Sequence, residues 1–154
     1  LFIILTAYKL NLMQTPSQQL FVYGSLRSGF RNPVYQYLTK YFRLVGEAVV
    51  HGKFYDKGPF PVAIPTAGDS FITGELYAVN NPEEFNWAIE QLDDYEGLNV
   101  EAGEKPLYKR ELVTVFREGT PSLAWIYWYN ESVDGMKEIA TGDVLKYLQE
   151  KNKP

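Results

Sequence analysis

Cysteine is absent from the 154-residue chain, and histidine occurs once, at position 51. Without thiols there is no disulfide, no thiolate zinc site and no cysteine nucleophile. One imidazole, His51, cannot build a multi-histidine metal site. Long apolar runs are also missing. The stretch Leu1–Leu5 falls far short of the roughly 20 residues a membrane-spanning helix needs, and it lacks the basic flank and small-residue cleavage site of a signal peptide. Basic clusters are scarce too: 15 Lys and Arg lie scattered among 19 Asp and Glu, for a net charge of −4. Phosphate-backbone binding needs concentrated positive charge. These shortages predict no nucleic-acid partner, no membrane insertion and no resident metal or other cofactor, and they fit a reducing, cytoplasmic compartment.

The residues present describe a globular protein. The length suits one domain with one core, and 45% hydrophobic with 22% charged residues is an ordinary globular balance. Aromatic residues make up 16% of the chain; they favour strands and line small-molecule clefts. Residues 1–19 are expected to be an N-terminal extension outside the core, with Met13 as the natural start, and residues 20–154 a single domain.

Leu20-Phe21-Val22-Tyr23 reads as a buried strand ending in the turn Gly24-Ser25. Arg27 to Arg31 reads as loop, and Asn32-Pro33 as the cap and first position of a helix carrying Val34, Tyr37, Leu38 and Tyr41. Val45 to Tyr55 reads as strand interrupted at Gly46 and Gly52, followed by a Pro-rich loop and Val62–Ile64. Phe71 to Val79 alternates, with Ile72, Leu76 and Ala78 on one face. Asn81-Pro82-Glu83-Glu84 opens a helix, Phe85, Ala88, Ile89 and Leu92 form its apolar stripe, and Gly97 stops it. Leu107–Phe116 and Leu123–Tyr129 are two further strands, and Thr141-Gly142-Asp143 opens a last helix. The order β-α-β-β-β-α-β-β-α predicts an α+β fold with an antiparallel or mixed sheet. A sheet this aromatic is expected to curl or close, which hides its edges.

Two segments carry candidate chemistry. In Phe21–Arg27 a buried strand delivers the chain to a Gly-Ser turn. Glycine there permits positive φ and close approach of a ligand, and successive free N–H groups can hold a carboxylate or an oxyanion. An ordinary strand-to-loop turn accounts for the same residues. Ser25 as a nucleophile would need His51 as its base, and no Gly-x-Ser-x-Gly surrounds it. In Leu92-Asp93-Asp94-Tyr95-Glu96-Gly97, acids crowd the negative end of a helix. Burial and like charge raise carboxylate pKa values, which makes a proton shuttle working near neutral pH. A solvated acidic helix end is the plainer reading, and the three acids lack the spacing of a calcium loop.

Taken together, the segments resemble the γ-glutamylcyclotransferase-like superfamily, in its small single-domain branch. That branch includes γ-glutamylamine cyclotransferase, the butirosin-pathway cyclotransferase and the plant avirulence-induced-gene proteins. The resemblance rests on Tyr23-Gly24-Ser25-Leu26, then Leu92-Asp93-Asp94-Tyr95-Glu96-Gly97, then Tyr108-Lys109-Arg110, with Ile139-Ala140-Thr141-Gly142-Asp143 in support. It implies a small closed or nearly closed mixed β-barrel with flanking helices, and a pocket between the Tyr23–Leu26 loop and Glu96. By position, it implies Glu96 as the catalytic carboxylate and Tyr23, Gly24, Ser25 and Leu26 as substrate-binding residues. Tyr108 and Arg110 are added as lining residues, although strand alternation puts both on one face and a structural face accounts for them equally. Phe60-Pro61, Trp125 and Trp128 are candidates for the outer pocket or, equally, for the core.

The implied reaction suits a chain of this composition. A γ-glutamyl compound carries its own nucleophile, the α-amine, and attack on the γ-carbonyl closes a five-membered lactam, 5-oxoproline. Positioning replaces a bimolecular encounter, and one carboxylate can serve both proton transfers. Two other classes stand beside it: a non-catalytic ligand-binding or regulatory module on the same fold, and an unrelated hydrolase using Asp93, Asp94 and Glu96. Neither the leaving amine nor the oligomeric state is legible in the chain.

Overall fold

The structure is a computed structural model that describes residues 17–24, 33–58 and 61–151. Among the described residues, seven strands and three α-helices follow in the order β1 (Gln19–Val22), α1 (Pro33–Tyr41), β2 (Phe42–Asp56), β3 (Val62–Pro65), β4 (Phe71–Val79), α2 (Phe85–Tyr95), β5 (Tyr108–Arg117), β6 (Thr120–Tyr129), β7 (Lys137–Ile139) and α3 (Val144–Lys151). The Arg27–Arg31 loop, the Asn32 cap, Met13 and the rest of residues 1–16 lie outside the described residues.

Five strands close into a barrel in the order β2-β4-β1-β6-β5, with β5 returning to β2 at Val49↔Phe116. The barrel is mixed: β1 runs parallel to β6 through Leu20↔Trp125, and the other pairs are antiparallel. The remaining strands lengthen β2 beyond the barrel. β3 pairs with residues 52–55 and β7 with residues 54–56. This is the α+β closed mixed barrel expected from the sequence.

Alternation sorts the apolar residues into two cores. Phe21, Tyr23, Ala48, Val50, Phe54, Ile72, Leu76, Val115, Ala124, Ile126 and Trp128 fill the barrel. Leu20, Val22, Tyr77, Val79 and Tyr127 face outward and are buried with Leu38, Phe85, Ala88, Ile89 and Leu92 of α1 and α2. Two-sided burial explains why β1 reads as a continuous apolar run. Tyr77 and Val79 are buried for the same reason, although alternation alone leaves them opposite the core.

Gly46 and Gly52 do not divide the second strand. Gly46 sits at a β-bulge in an unbroken β2, where an added Cβ would lie 2.7 Å from Arg117 Nε. At Gly52 the Trp128 indole occupies the space, 3.0 Å from an added Cβ. The Asn81-Pro82 start also differs in detail. It first makes a 3-10 turn over Pro82–Glu84, with the Asn81 side chain accepting from Glu83 N–H, and α2 begins at Phe85. The late Ile-x-x-Gly-Asp segment is a joint. Ile139 is buried in β7, and the Gly142 carbonyl accepts the Thr73 N–H at 2.6 Å. A Cβ on Gly142 would lie 2.2 Å from the Phe71 carbonyl oxygen, so only glycine fits there. Asp143 Oδ1 then caps α3, accepting from Leu145 and Lys146 N–H at 3.0 and 3.3 Å. Ahead of β1, the Gln18 carbonyl accepts the Val79 N–H at 3.1 Å and the Ser17 carbonyl accepts the Trp125 indole N–H at 2.8 Å.

Candidate active site

Glu96 is fixed by the way α2 stops. Leu92 anchors the last full turn in the core, and the Glu96 N–H still donates to the Leu92 carbonyl at 2.9 Å. Gly97 then takes φ +76. Its N–H donates to Asp94 O at 3.1 Å, and the Leu98 N–H reaches back to Asp93 O at 3.0 Å. These two bonds form a Schellman motif, and Leu98 packs on the outer core beneath it. The carboxylate therefore leaves a backbone held on both sides.

The three acids here have three different fates. Asp93 accepts from Arg110 Nε at 2.8 Å, Arg110 Nη2 at 3.1 Å and Tyr127 OH at 2.7 Å. The Asp94 carboxylate is hydrogen-bonded by the Asn99 side-chain amide. No described residue hydrogen-bonds to the Glu96 carboxylate, and burial pushes its pKa up to about 7. The acids do not converge, and no group of three or more metal-ligating side chains occurs among the described residues.

Tyrosines surround Glu96. Its charge raises the pKa values of Tyr23, Tyr108 and Tyr127, in each case after the larger effect of burial. The Tyr108 phenol is pushed up to about 12. The Arg110 and Tyr127 hydrogen bonds to Asp93, with the Tyr23 hydroxyl on the Tyr127 carbonyl, bring the ends of β1, β5 and β6 to the C-terminus of α2. Tyr23 closes the barrel here. Its ring lies 5.6 Å from Phe54 and 6.3 Å from Trp128, and its hydroxyl donates to the Tyr127 carbonyl.

The structure thus brings Tyr23, Tyr108 and Glu96 together. Gly24 follows Tyr23 directly and has no described atom within 4 Å of an added Cβ. Its φ is outside the left-handed region, so the positive φ that glycine permits is not used here. Ser25, Leu26 and Phe60 lie outside the described residues, and Pro61 is buried. Arg110 shares its strand face with Tyr108, as alternation predicts, but its guanidinium is committed to Asp93 and stacks 4.5 Å over the Trp125 ring. Trp128 is a barrel-core residue whose buried indole N–H has no hydrogen-bond partner among the described residues. His51 lies against Phe71 and Phe116, with Nδ1 3.1 Å from the Gly68 carbonyl oxygen. A groove of about 560 Å³ lined by Phe71, Phe116 and Arg117 contains none of the expected site residues.

Tyr127 and Tyr129 were not singled out from the sequence. Their signal was register. Arg110 pairs with Tyr127 and Tyr108 with Tyr129 across β5 and β6, which puts all four on the face that meets α2.

Residues 20–146 match the family described as "Gamma-glutamyl cyclotransferase, AIG2-like". The chain belongs to this family. A curated relative, the gamma-glutamylcyclotransferase family protein YtfP of Escherichia coli K12, is 32% identical over 128 residues, covering 82% of this chain and 96% of its own length. The solution structure of E. coli ytfP superposes with a TM-score of 0.55 at 28% identity, over 84% of this chain and 97% of that one. Bacillus subtilis YkqA shares the fold, with a TM-score of 0.63 at 22% identity, over 90% of this chain and 44% of that one. No helix among the described residues is long and apolar enough to cross a membrane.

Proposed function

We propose that the domain spanning residues 20–154 converts a γ-glutamyl amine or γ-glutamyl amino acid to 5-oxoproline and the free amine, with Glu96 as general acid and base. Glu96 takes a proton from the substrate α-ammonium. The freed amine nitrogen attacks the γ-carbonyl carbon, forming the lactam C–N bond. Collapse of the tetrahedral adduct breaks the bond to the leaving nitrogen, which receives the proton from Glu96, while the extra proton on the ring nitrogen passes to the released amine, leaving a neutral lactam and an ionised Glu96. Backbone N–H groups of the Gly24-Ser25 turn hold the substrate carboxylate or the oxyanion, Leu26 extends that wall, and Tyr108 encloses the reacting end. Arg110 acts through Asp93 as a positioning residue. No cofactor takes part, and the cytoplasm is the proposed location, in keeping with a chain without cysteine.

One observation carries this reading: an aromatic-walled carboxylate, unbonded by any described residue, with its pKa raised to about 7 by burial. A shuttle that must accept and return a proton near neutral pH works best with that value. The test is 5-oxoproline release from a panel of γ-glutamyl amines and dipeptides, read by mass spectrometry, for wild type and Glu96→Gln. Wild-type turnover falling about 100-fold or more in the variant is expected for the loss of a general acid/base. Near-normal release by the variant overturns the role of Glu96. Failure of folded wild type across the panel favours a ligand-binding module on the same fold.

A further inference from the structure

The groove of about 560 Å³ beside Phe71 follows from the way the barrel closes. β2 pairs with β4 along Phe42–His51, and β5 pairs with β6 along its whole length, but β2 and β5 are in register only at Val49↔Phe116. Beyond that pair the tip of the β5–β6 hairpin parts from β2. The groove opens there, between Glu47, Ala48 and Val49 on one side and Phe116, Arg117, Glu118 and Gly119 on the other. Its volume falls within the roughly 300–1,000 Å³ of small-molecule sites.

The walls are aromatic. Phe71 and Phe116 stand edge to face with centroids 6.3 Å apart, and the His51 ring packs on both. These rings point out of the barrel, as Tyr77 and Tyr127 do. Tyr77 and Tyr127 are buried with α1 and α2, whereas Phe71 is 44% exposed. The carboxylates at the mouth sit where the fold alone disfavours them. Glu47 lies directly opposite Glu75 across β2 and β4, and like charges in that position repel. Glu118 takes φ +51, a conformation that favours glycine. Local cost retained beside a groove points to a use for the charge. Arg117 is laid over the Gly46 backbone and meets Glu118 at 3.9 Å. No described cation forms an ion pair with Glu47. The lining therefore holds two acids against one base.

We infer that this groove is a second ligand site, for a primary amine with an aromatic or apolar body. The body lies against Phe71 and Phe116, and the ammonium meets Glu47. The excess negative charge selects a cation over a neutral or anionic compound of the same shape. The ion pair is solvent-exposed, so it adds about fivefold in affinity, and salt weakens it. The site shares no residue with the surroundings of Glu96, so it stands apart from the cyclisation reading.

The test is titration of the folded protein with phenethylamine, phenethyl alcohol and hydrocinnamate, followed by backbone amide shifts in NMR. Phenethylamine should bind with a dissociation constant on the order of 1 mM. Its shifts should centre on residues lining the groove. It should bind about fivefold more tightly than the alcohol, and more tightly still than hydrocinnamate, with the advantage shrinking in high salt. Glu47→Gln should bring the amine-to-alcohol ratio close to one. The melting temperature of that variant should hold or rise, because Glu75 loses a like-charged neighbour. Phe71→Ala should weaken the amine and the alcohol alike. The inference is overturned by shifts centred on Tyr23 and Tyr108, by no shift at ten times the expected dissociation constant, or by equal binding of the three compounds. An amine-to-alcohol ratio unchanged in Glu47→Gln, or amine binding unchanged in Phe71→Ala, overturns it as well.

Discussion

Asp93 and Glu96 lie three residues apart at the end of one helix, yet they inhabit opposite worlds. Asp93 is surrounded by donors. Arg110 and Tyr127 satisfy both of its oxygens, and the guanidinium is sandwiched between the acid and Trp125. Glu96 is surrounded by phenols, none of which donates to it, and burial alone sets its pKa. The same residue chemistry thus yields a joint in one place and, in the proposed mechanism, a proton carrier in the other. The difference comes from the number of donors within reach, since hydrogen bonds to the ionised form stabilise it and desolvation does the reverse.

The contrast breaks most sharply by amide substitution. Glu96→Gln should remove turnover by the 100-fold or more already given, whereas Asp93→Asn should leave a working carboxylate and lose far less rate, as steady-state kinetics of the pair would reveal. The acid limb of the pH–rate profile comes next. In the proposed mechanism Glu96 acts first as a base, so kcat/KM should fall about tenfold per pH unit below about 7. A limb near pH 4.5, the ordinary glutamate value, would show that burial does not tune this group.

Arg110→Met should destabilise the fold by about 2 kcal/mol, read as a shift in denaturation midpoint. With side chains 22% and 13% exposed, Arg110 and Asp93 are buried enough that removing one strands the other. Thermal stability separates the two acids in a further way. The folded protein binds the Glu96 proton more tightly than the unfolded chain does, so stability present at low pH is lost as pH rises from 4.5 to about 7. Glu96→Gln removes that loss and should gain about 2 kcal/mol on wild type between pH 4 and pH 8, allowing for partial solvent access. The smallest effect is Gly97→Ala, at about 1 kcal/mol, because φ +76 strains any residue with a Cβ.

Much of this was legible before any coordinates. The stripe Phe85, Ala88, Ile89, Leu92 and the stop at Gly97 followed from helical spacing and cap chemistry, and together they place Glu96 at a helix end. Resemblance supplied the barrel and joined Glu96 to Tyr23. What stayed hidden depends on pairing. Nothing in Tyr108-Lys109-Arg110 reveals that Arg110 will find Asp93, because that requires the register of β5 on β6 and the angle of α2 across them. β7 was invisible because three residues, Lys137–Ile139, show no alternation. Gly46 and Gly52 looked like breaks because local sequence cannot show that Arg117 and Trp128 fill the space beside them.

The parallel seam between β1 and β6 has a consequence for how the molecule is made. Leu20 pairs with Tyr77 on one side and with Trp125 on the other, so this strand is flanked by two that leave the ribosome well after it. Contacts this distant in sequence form slowly. During synthesis β1 must wait with its apolar residues unsheltered, and the group of tyrosines around the end of α2 is assembled only after β6 has been made.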